Sequence, residues 1–231
     1  IWAGIFAALF FGALMGWISG VLIAKLKVPP FIATLGMMML LKGGSLIITD
    51  TRPIYFNDVA GFDLISFGSA ASALLAGWPL PNGVLIMFLL AWFSAAVLNK
   101  TALGRYAFAM GSNEEAVRLS GVDVDRWKVA IYAFAGAICG LAGLLMASRL
   151  NSAQPALGQG YELDAIAAVV IGGTSLSGGV GTVLGTLIGA FFMSVLINGL
   201  RILSVAQECQ IVLTGLIIIL AVYTDHLRKD V

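Results

Sequence analysis

The apolar positions of this chain fall into long uninterrupted runs. From Ile1 to Ala24 no charge breaks 24 positions. As a helix that run is about 36 Å long at 1.5 Å per residue, against a hydrocarbon core of roughly 30 Å. It predicts a membrane-spanning helix. Val129 to Ser148 and Val180 to Leu200 are uncharged over spanning lengths, and Gly83 to Leu98 forms the centre of another span. Phe31 to Thr49 is apolar apart from Lys42, and Cys209 to Thr224 is a little short but closed by Asp225. Ala165 to Thr174 is long enough only for a short or broken helix. The expected fold is therefore all-α, a polytopic integral membrane protein with about seven membrane segments, including short or broken helices.

Composition removes the soluble alternative. Of 231 residues 60% are apolar and 11% charged, with a mean hydropathy of +0.99, whereas a soluble domain carries roughly a quarter of its residues charged. The net charge of +1 offers no cationic face for nucleic acid. His226, Cys139 and Cys209 have no ligand-like spacing, so neither a metal site nor a disulfide staple is expected. The opening Ile1-Trp2-Ala3 has no methionine and no basic region, which reads as a fragment whose start is missing and not as a signal peptide.

Lys and Arg concentrate in short cytoplasmic loops. Placing the Lys25/Lys27 loop, the 99–128 loop and the C-terminal tail on one side puts nine of the 13 basic residues there: Lys25, Lys27, Lys100, Arg105, Arg118, Arg126, Lys128, Arg228 and Lys229. That side is assigned to the cytoplasm. The 50–81, 149–164 and 201–208 segments then face out, so the chain from Asp164 to Leu203 must leave the outer side and return to it. Two full crossings or a re-entrant pair both satisfy this.

Gly12, Gly16 and Gly20 recur every fourth residue, as do Gly181, Gly185 and Gly189. Each weakens its helix unless a neighbour's backbone uses the missing side chain, so both stripes read as packing seams. A sharper reading makes them related halves of an inverted repeat. Gly172 and Gly173, then Gly178 and Gly179, mark a turn where the apolar helices break. Leu176-Ser177-Gly178-Gly179 spells the opening of a nucleotide-contacting signature, but the chain has no Gly-Lys pair and so no phosphate loop.

The basic 99–128 loop holds the most specific local pattern. Ser112 with Glu115 three residues on is a capping box, and Gly121 suits a helix end. Between them Glu114, Glu115, Ala116, Val117, Arg118 and Leu119 form a helix of about two turns, too short to stand alone in water. It either lies on the membrane as an ordinary surface helix or transmits force from a docked partner.

Glu115-Ala116-Val117 followed by Gly121 resembles the Glu-Ala-Ala-x-x-x-Gly coupling motif of ABC importer permeases, with Val117 departing from the second alanine. Val28-Pro29-Pro30-Phe31-Ile32-Ala33-Thr34-Leu35-Gly36, Leu103-Gly104-Arg105-Tyr106 and the run from Leu150 to Gly181 resemble the permease subunits of ribose-type sugar importers. The likeness covers essentially the whole chain, so 1–231 is expected to be one transmembrane permease domain with the coupling loop 99–128 inside it. The resemblance implies a multi-pass protein of the bacterial inner membrane, and the charge distribution puts its C-terminus in the cytoplasm. It implies as partners a second permease copy in a homodimer, a cytoplasmic ABC ATPase, a periplasmic sugar-binding protein and membrane lipid. ATP and Mg are held by the ATPase, and no cofactor by this chain. The solute expected is a ribose-like monosaccharide, with another sugar, a polyol or an autoinducer as alternatives.

Phe31, Thr34, Lys42 and Asn198 are the candidates for the path or its gate. Lys42 lies about 17 Å into its helix by rise per residue, and either snorkels to the outer headgroups or lines the path. Asn198 either ties two helices together or meets a solute hydroxyl. Phe31 and Trp78 are interfacial anchors or gate residues. A stand-alone channel or secondary transporter predicts intramembrane carboxylates, yet every Asp and Glu falls in a loop, a tail or a helix end. An intramembrane enzyme has still less support, since it needs catalytic groups at membrane depth and His226 lies in the tail.

Overall fold

The computed structural model describes residues 1–56, 61–68 and 80–227; Trp78, Arg228 and Lys229 lie outside them. In chain order the elements are α1 (Trp2–Ala24), α2 (Pro30–Ile48), β1 (Ile54–Tyr55), α3 (Leu64–Phe67), α4 (Asn82–Lys100), α5 (Ala102–Leu119) and α6 (Val124–Leu150). They are followed by β2 (Ser152–Ala153), α7 (Tyr161–Ile171), α8 (Val183–Ile202) and α9 (Gln207–Leu227). Among the described residues α1, α2, α4, α6 and α8 are long and apolar enough to cross a membrane, and α9 has a shorter apolar stretch over Gln207–Tyr223. With the 11-residue α7 these make up the expected segments. At about 16 Å, α7 cannot cross the core alone. Large apolar side chains point outward along these helices: Phe10 is 70% exposed and Trp92 73%. Hydrocarbon, not water, suits such a surface.

The chain forms two compact units. The first comprises Ile1–Leu90 and Ser120–Leu157, and its seam is α1 on α6. A Cβ added at Gly12 would strike the Gly136 carbonyl and lie 3.0 Å from the Gly140 Cα, and one at Gly20 would lie 2.8 Å from the Val129 Cα. The two backbones touch because α1 carries no side chain at these positions, and opposite Gly12 the facing Gly136 and Gly140 carry none either. After α1 the chain turns through Lys27 in the left-handed region (φ 56°). Pro30 then opens α2 at a position where a missing N–H costs nothing. Lys27 Nζ pairs with Asp125 Oδ1 at 3.1 Å, and Asp123 caps α6 by accepting from the Arg126 amide at 3.2 Å.

At the far end of α6 this unit is tied by polar groups. The Ser148 hydroxyl has no exposed surface. It donates to the Phe62 carbonyl at 2.7 Å and accepts from the Ser66 amide at 3.1 Å, while the Ser66 hydroxyl donates to the Leu145 carbonyl at 2.9 Å. These bonds hold α3 against α6. Beside them β1 and β2 pair antiparallel, Ile54 with Ala153 and Tyr55 with Ser152.

The second unit comprises Ala91–Leu119 and Gly158–Val231. Here α7 packs between α8 and α9: Ala167, Ala168 and Met193 are buried together, with Ile217 and Ile218 of α9 against them. A Cβ at Gly189 would strike the Ala168 carbonyl, and one at Gly185 the Gly172 carbonyl. Gly181 lies outside this helix seam and faces Thr174, whose Cγ2 would be 2.7 Å from an added Cβ. The two glycine stripes thus have different partners, a 27-residue helix for α1 and an 11-residue one for α8. Their likeness is one of contact chemistry and not of helix length.

Candidate functional site

The segment expected to meet a partner is the C-terminal part of α5. Asn113 interrupts that helix with an extended backbone (φ −154°, ψ 99°), so residues 114–119 form a separate short element. The cap differs from the expected Ser112/Glu115 box. The Asn113 Oδ1 accepts from the Ala116 amide at 3.0 Å, so the helix restarts one residue later. Asn caps as well as Ser, and Ser112 is held elsewhere: its Cα would be 3.2 Å from a Cβ at Gly179. Arg118 and Glu114 pair at 3.3 Å one turn apart. Glu115 and Ala116 are exposed and Val117 is half-buried, while Leu119 is 83% exposed. Beyond them Gly121 adopts φ 85°, a conformation that stops a helix and that glycine takes without strain. The result is a short capped helix that offers an apolar tip and two carboxylates.

This element adjoins the helix-breaking turn. A Cβ at Gly111 would lie 2.6 Å from the Gly179 nitrogen, and one at Gly178 would lie 2.9 Å from the Gly111 Cα. Gly173, Gly178 and Gly179 all have positive φ, at 83°, 89° and 80°. The Ser175 amide donates to the Val180 carbonyl at 3.0 Å and the Gly178 amide to the Ser175 carbonyl at 3.1 Å. Thr182 then caps α8 by accepting from the Gly185 amide at 3.1 Å. No pattern in the sequence pointed to this contact, because the two glycine sites are 67 positions apart, Gly111 to Gly178.

The path candidates divide between the units. Phe31, Thr34 and Lys42 all lie on α2 in the first unit, and Asn198 lies exposed on α8 in the second. Thr34 is the one of the four that lines the cavity of about 690 Å³ between α1, α2 and α6, with Ser19, Met37, Tyr132 and Cys139 among its neighbours. Its hydroxyl is turned back onto the Pro30 and Phe31 carbonyls at 3.0 and 3.2 Å. Phe31 is 72% exposed at the start of α2, and Lys42 is half-buried on the same helix. Sequence reasoning missed the Ser66/Ser148 pair, for which the only signal was two hydroxyls in otherwise apolar surroundings.

The family described as "Branched-chain amino acid transport system / permease component" matches residues 1–222, and the chain belongs to it. Over 224 residues the chain is 45% identical to the ribose import permease protein RbsC of Escherichia coli (strain K12), covering 96% of this chain and 68% of that protein. It is 44% identical to the RbsC of Bacillus subtilis (strain 168), with 91% and 64% covered. The fructose import permease protein FrcC of Rhizobium meliloti is 39% identical, with 94% and 61% covered. The chain spans between 61% and 68% of the length of these relatives. No solved structure matches it. Within its family the chain stands with the ribose-type permeases of ABC importers, multi-pass proteins of the inner membrane.

Proposed function

We propose that this chain forms the translocation path of an importer for a ribose-like monosaccharide, by alternating access driven from outside the chain. The observation that carries the coupling part is the capped 114–119 element, which ends in Leu119 at 83% exposure. An apolar residue so placed on a short helix with little stability of its own is suited to enter a groove on a partner. That partner is a cytoplasmic ABC ATPase, which holds the ATP and Mg. Glu114, Glu115, Ala116, Val117, Arg118 and Leu119 make the contact, and Gly121 terminates it. Nucleotide shifts the permease between its two states only if these contacts differ between them. A periplasmic binding protein delivers the sugar, and a second copy of this chain completes the path. The C-terminus lies in the cytoplasm. The chain itself performs no catalysis. A path so supplied needs little affinity of its own, which fits a chain whose relatives include a fructose permease.

The test is Leu119→Asp in the assembled importer. Because Leu119 packs on little else, the variant is expected to insert normally, to lose co-purifying ATPase and to lose most sugar uptake. Unchanged uptake together with unchanged ATPase recovery would overturn the assignment of this element. Competition of labelled ribose uptake by fructose, galactose and a polyol reads the solute class.

A further inference from the structure

We propose that the Gly111–Ser112 hinge and the Gly178–Gly179 turn form one contact that stays closed throughout transport, so that Gly111, Gly178 and Gly179 are positioning residues carrying motion of the 114–119 element into α7 and α8. The inference rests on the reading of that element as the ATPase contact and says where its motion goes. Three observations carry it. First, the contact is backbone on backbone: the Gly179 nitrogen would be 2.6 Å from a Cβ at Gly111, and the Gly111 Cα 2.9 Å from one at Gly178. No side chain stands between them to absorb a displacement by changing rotamer.

Second, one peptide link joins this contact to the moving element. Ser112 rests on Gly179, and the next residue, Asn113, holds the first turn of the element through its 3.0 Å bond from the Ala116 amide. The extended backbone at Asn113 separates the element from the rest of α5, so the element can swing about that point but cannot slide away from it.

Third, the turn is braced on its other side. The Ser175 amide bonds the Val180 carbonyl at 3.0 Å, the Ser175 and Ser177 hydroxyls lie 3.1 Å apart, and Gly181 packs on Thr174. Thr182 caps α8, and Gly185 and Gly189 seat α8 on α7. A push on Gly178 and Gly179 therefore moves both helices together, because packed backbones shift as blocks and do not deform continuously.

Two variants test this in the complete importer reconstituted in liposomes. Ser112→Cys with Gly179→Cys, in a background of Cys139→Ala and Cys209→Ala, places two Cβ atoms 3.2 Å apart, within a few tenths of an ångström of disulfide geometry. Oxidant is expected to close the bond with and without nucleotide, and the cross-linked importer is expected to keep the uptake of its reduced form. Failure to cross-link, or a loss of uptake that reductant restores, would overturn the proposal. Gly111→Ala acts as a wedge, and it decides the matter where the reduced cysteine pair is itself inactive. It is expected to leave ATPase bound and hydrolysing while sugar moved per ATP falls roughly tenfold, within the usual range for coupling between sites. Uptake per ATP within about twofold of the unsubstituted chain would equally overturn it. Loss of ATPase binding in Leu119→Asp is read separately. If that variant behaves normally the functional reading fails, whatever the cross-link does.

Discussion

The Ser148 hydroxyl is spent in both directions, as donor to Phe62 and acceptor from Ser66, with no exposed surface left for water to replace either bond. Ser148→Ala removes two bonds at once, leaving the Phe62 carbonyl only the Ile65 amide at 3.3 Å and the Ser66 amide only the Asp63 carbonyl at 3.1 Å, at a cost of about 0.5–1.5 kcal/mol for each bond lost. For a chain of this size that is an expected fall of roughly 2–4 °C in thermal midpoint for each kcal/mol, read on the detergent-purified protein. An unchanged midpoint would mean that water or lipid headgroups reach the site. The same logic separates the two serines. Ser66→Ala removes only the bond from its hydroxyl to Leu145, since the amide that Ser148 accepts remains, so it is expected to cost less. Lys27 makes a contrasting case, because its pair with Asp125 is exposed. Lys27→Ala is expected to change the midpoint by less than either serine variant, since an exposed pair contributes about 0–1 kcal/mol.

The spanning elements were legible because hydrophobic length is a local property, written in consecutive residues. That is why the runs beginning at Ile1, Phe31, Gly83, Val129 and Val180 each became a helix long enough to cross, and the short run at Ala165 became the short α7. The glycine stripes announced close approach without naming the neighbour. Nothing near Gly12 indicates that α6 lies opposite, because that pairing is a choice made by the whole fold. Position 112 shows the same limit at smaller scale. Local spacing favoured Ser112 as the cap, but a contact from a distant turn claims that residue and passes the role to Asn113. The two-residue ladder of β1 and β2 was illegible, being too short to have a pattern of its own. The seam of α7 and α8 yields a direct prediction. Gly185→Leu forces a branched side chain toward the Gly172 carbonyl and the Thr182 hydroxyl, the latter 2.8 Å from the new Cβ. The helices are expected to separate, seen as faster proteolysis in the 172–182 turn and loss of assembled importer. Wild-type protease resistance would mean that the seam opens without cost.

At the scale of the whole molecule a chain of this kind alternates sides of the bilayer, and the structure supplies the candidate crossings. Among the described residues between Lys25 and Gln159, three helices are long and apolar enough to cross, α2, α4 and α6. Three crossings, an odd number, would put those two residues on opposite faces, and that is the arrangement expected, whatever the absolute orientation. The charge distribution then supplies the sign. Lys25 and Lys27 flank the first turn, and Lys100, Arg105, Arg118, Arg126 and Lys128 lie in and around the 114–119 element along the sequence, so that face is expected in the cytoplasm. Both positions are exposed, and the bond by which Lys25 ends α1 comes from its backbone amide, so a cysteine at either tests topology with little demand on the fold. In a background of Cys139→Ala and Cys209→Ala, Gln159→Cys is expected to react with a membrane-impermeant maleimide in intact spheroplasts. Lys25→Cys is expected to react only after the membrane is opened. Labelling of both from outside would mean that one of the three helices does not cross. Labelling of Lys25→Cys alone from outside would keep the parity and reverse the orientation, and the 114–119 element would then face away from any source of ATP.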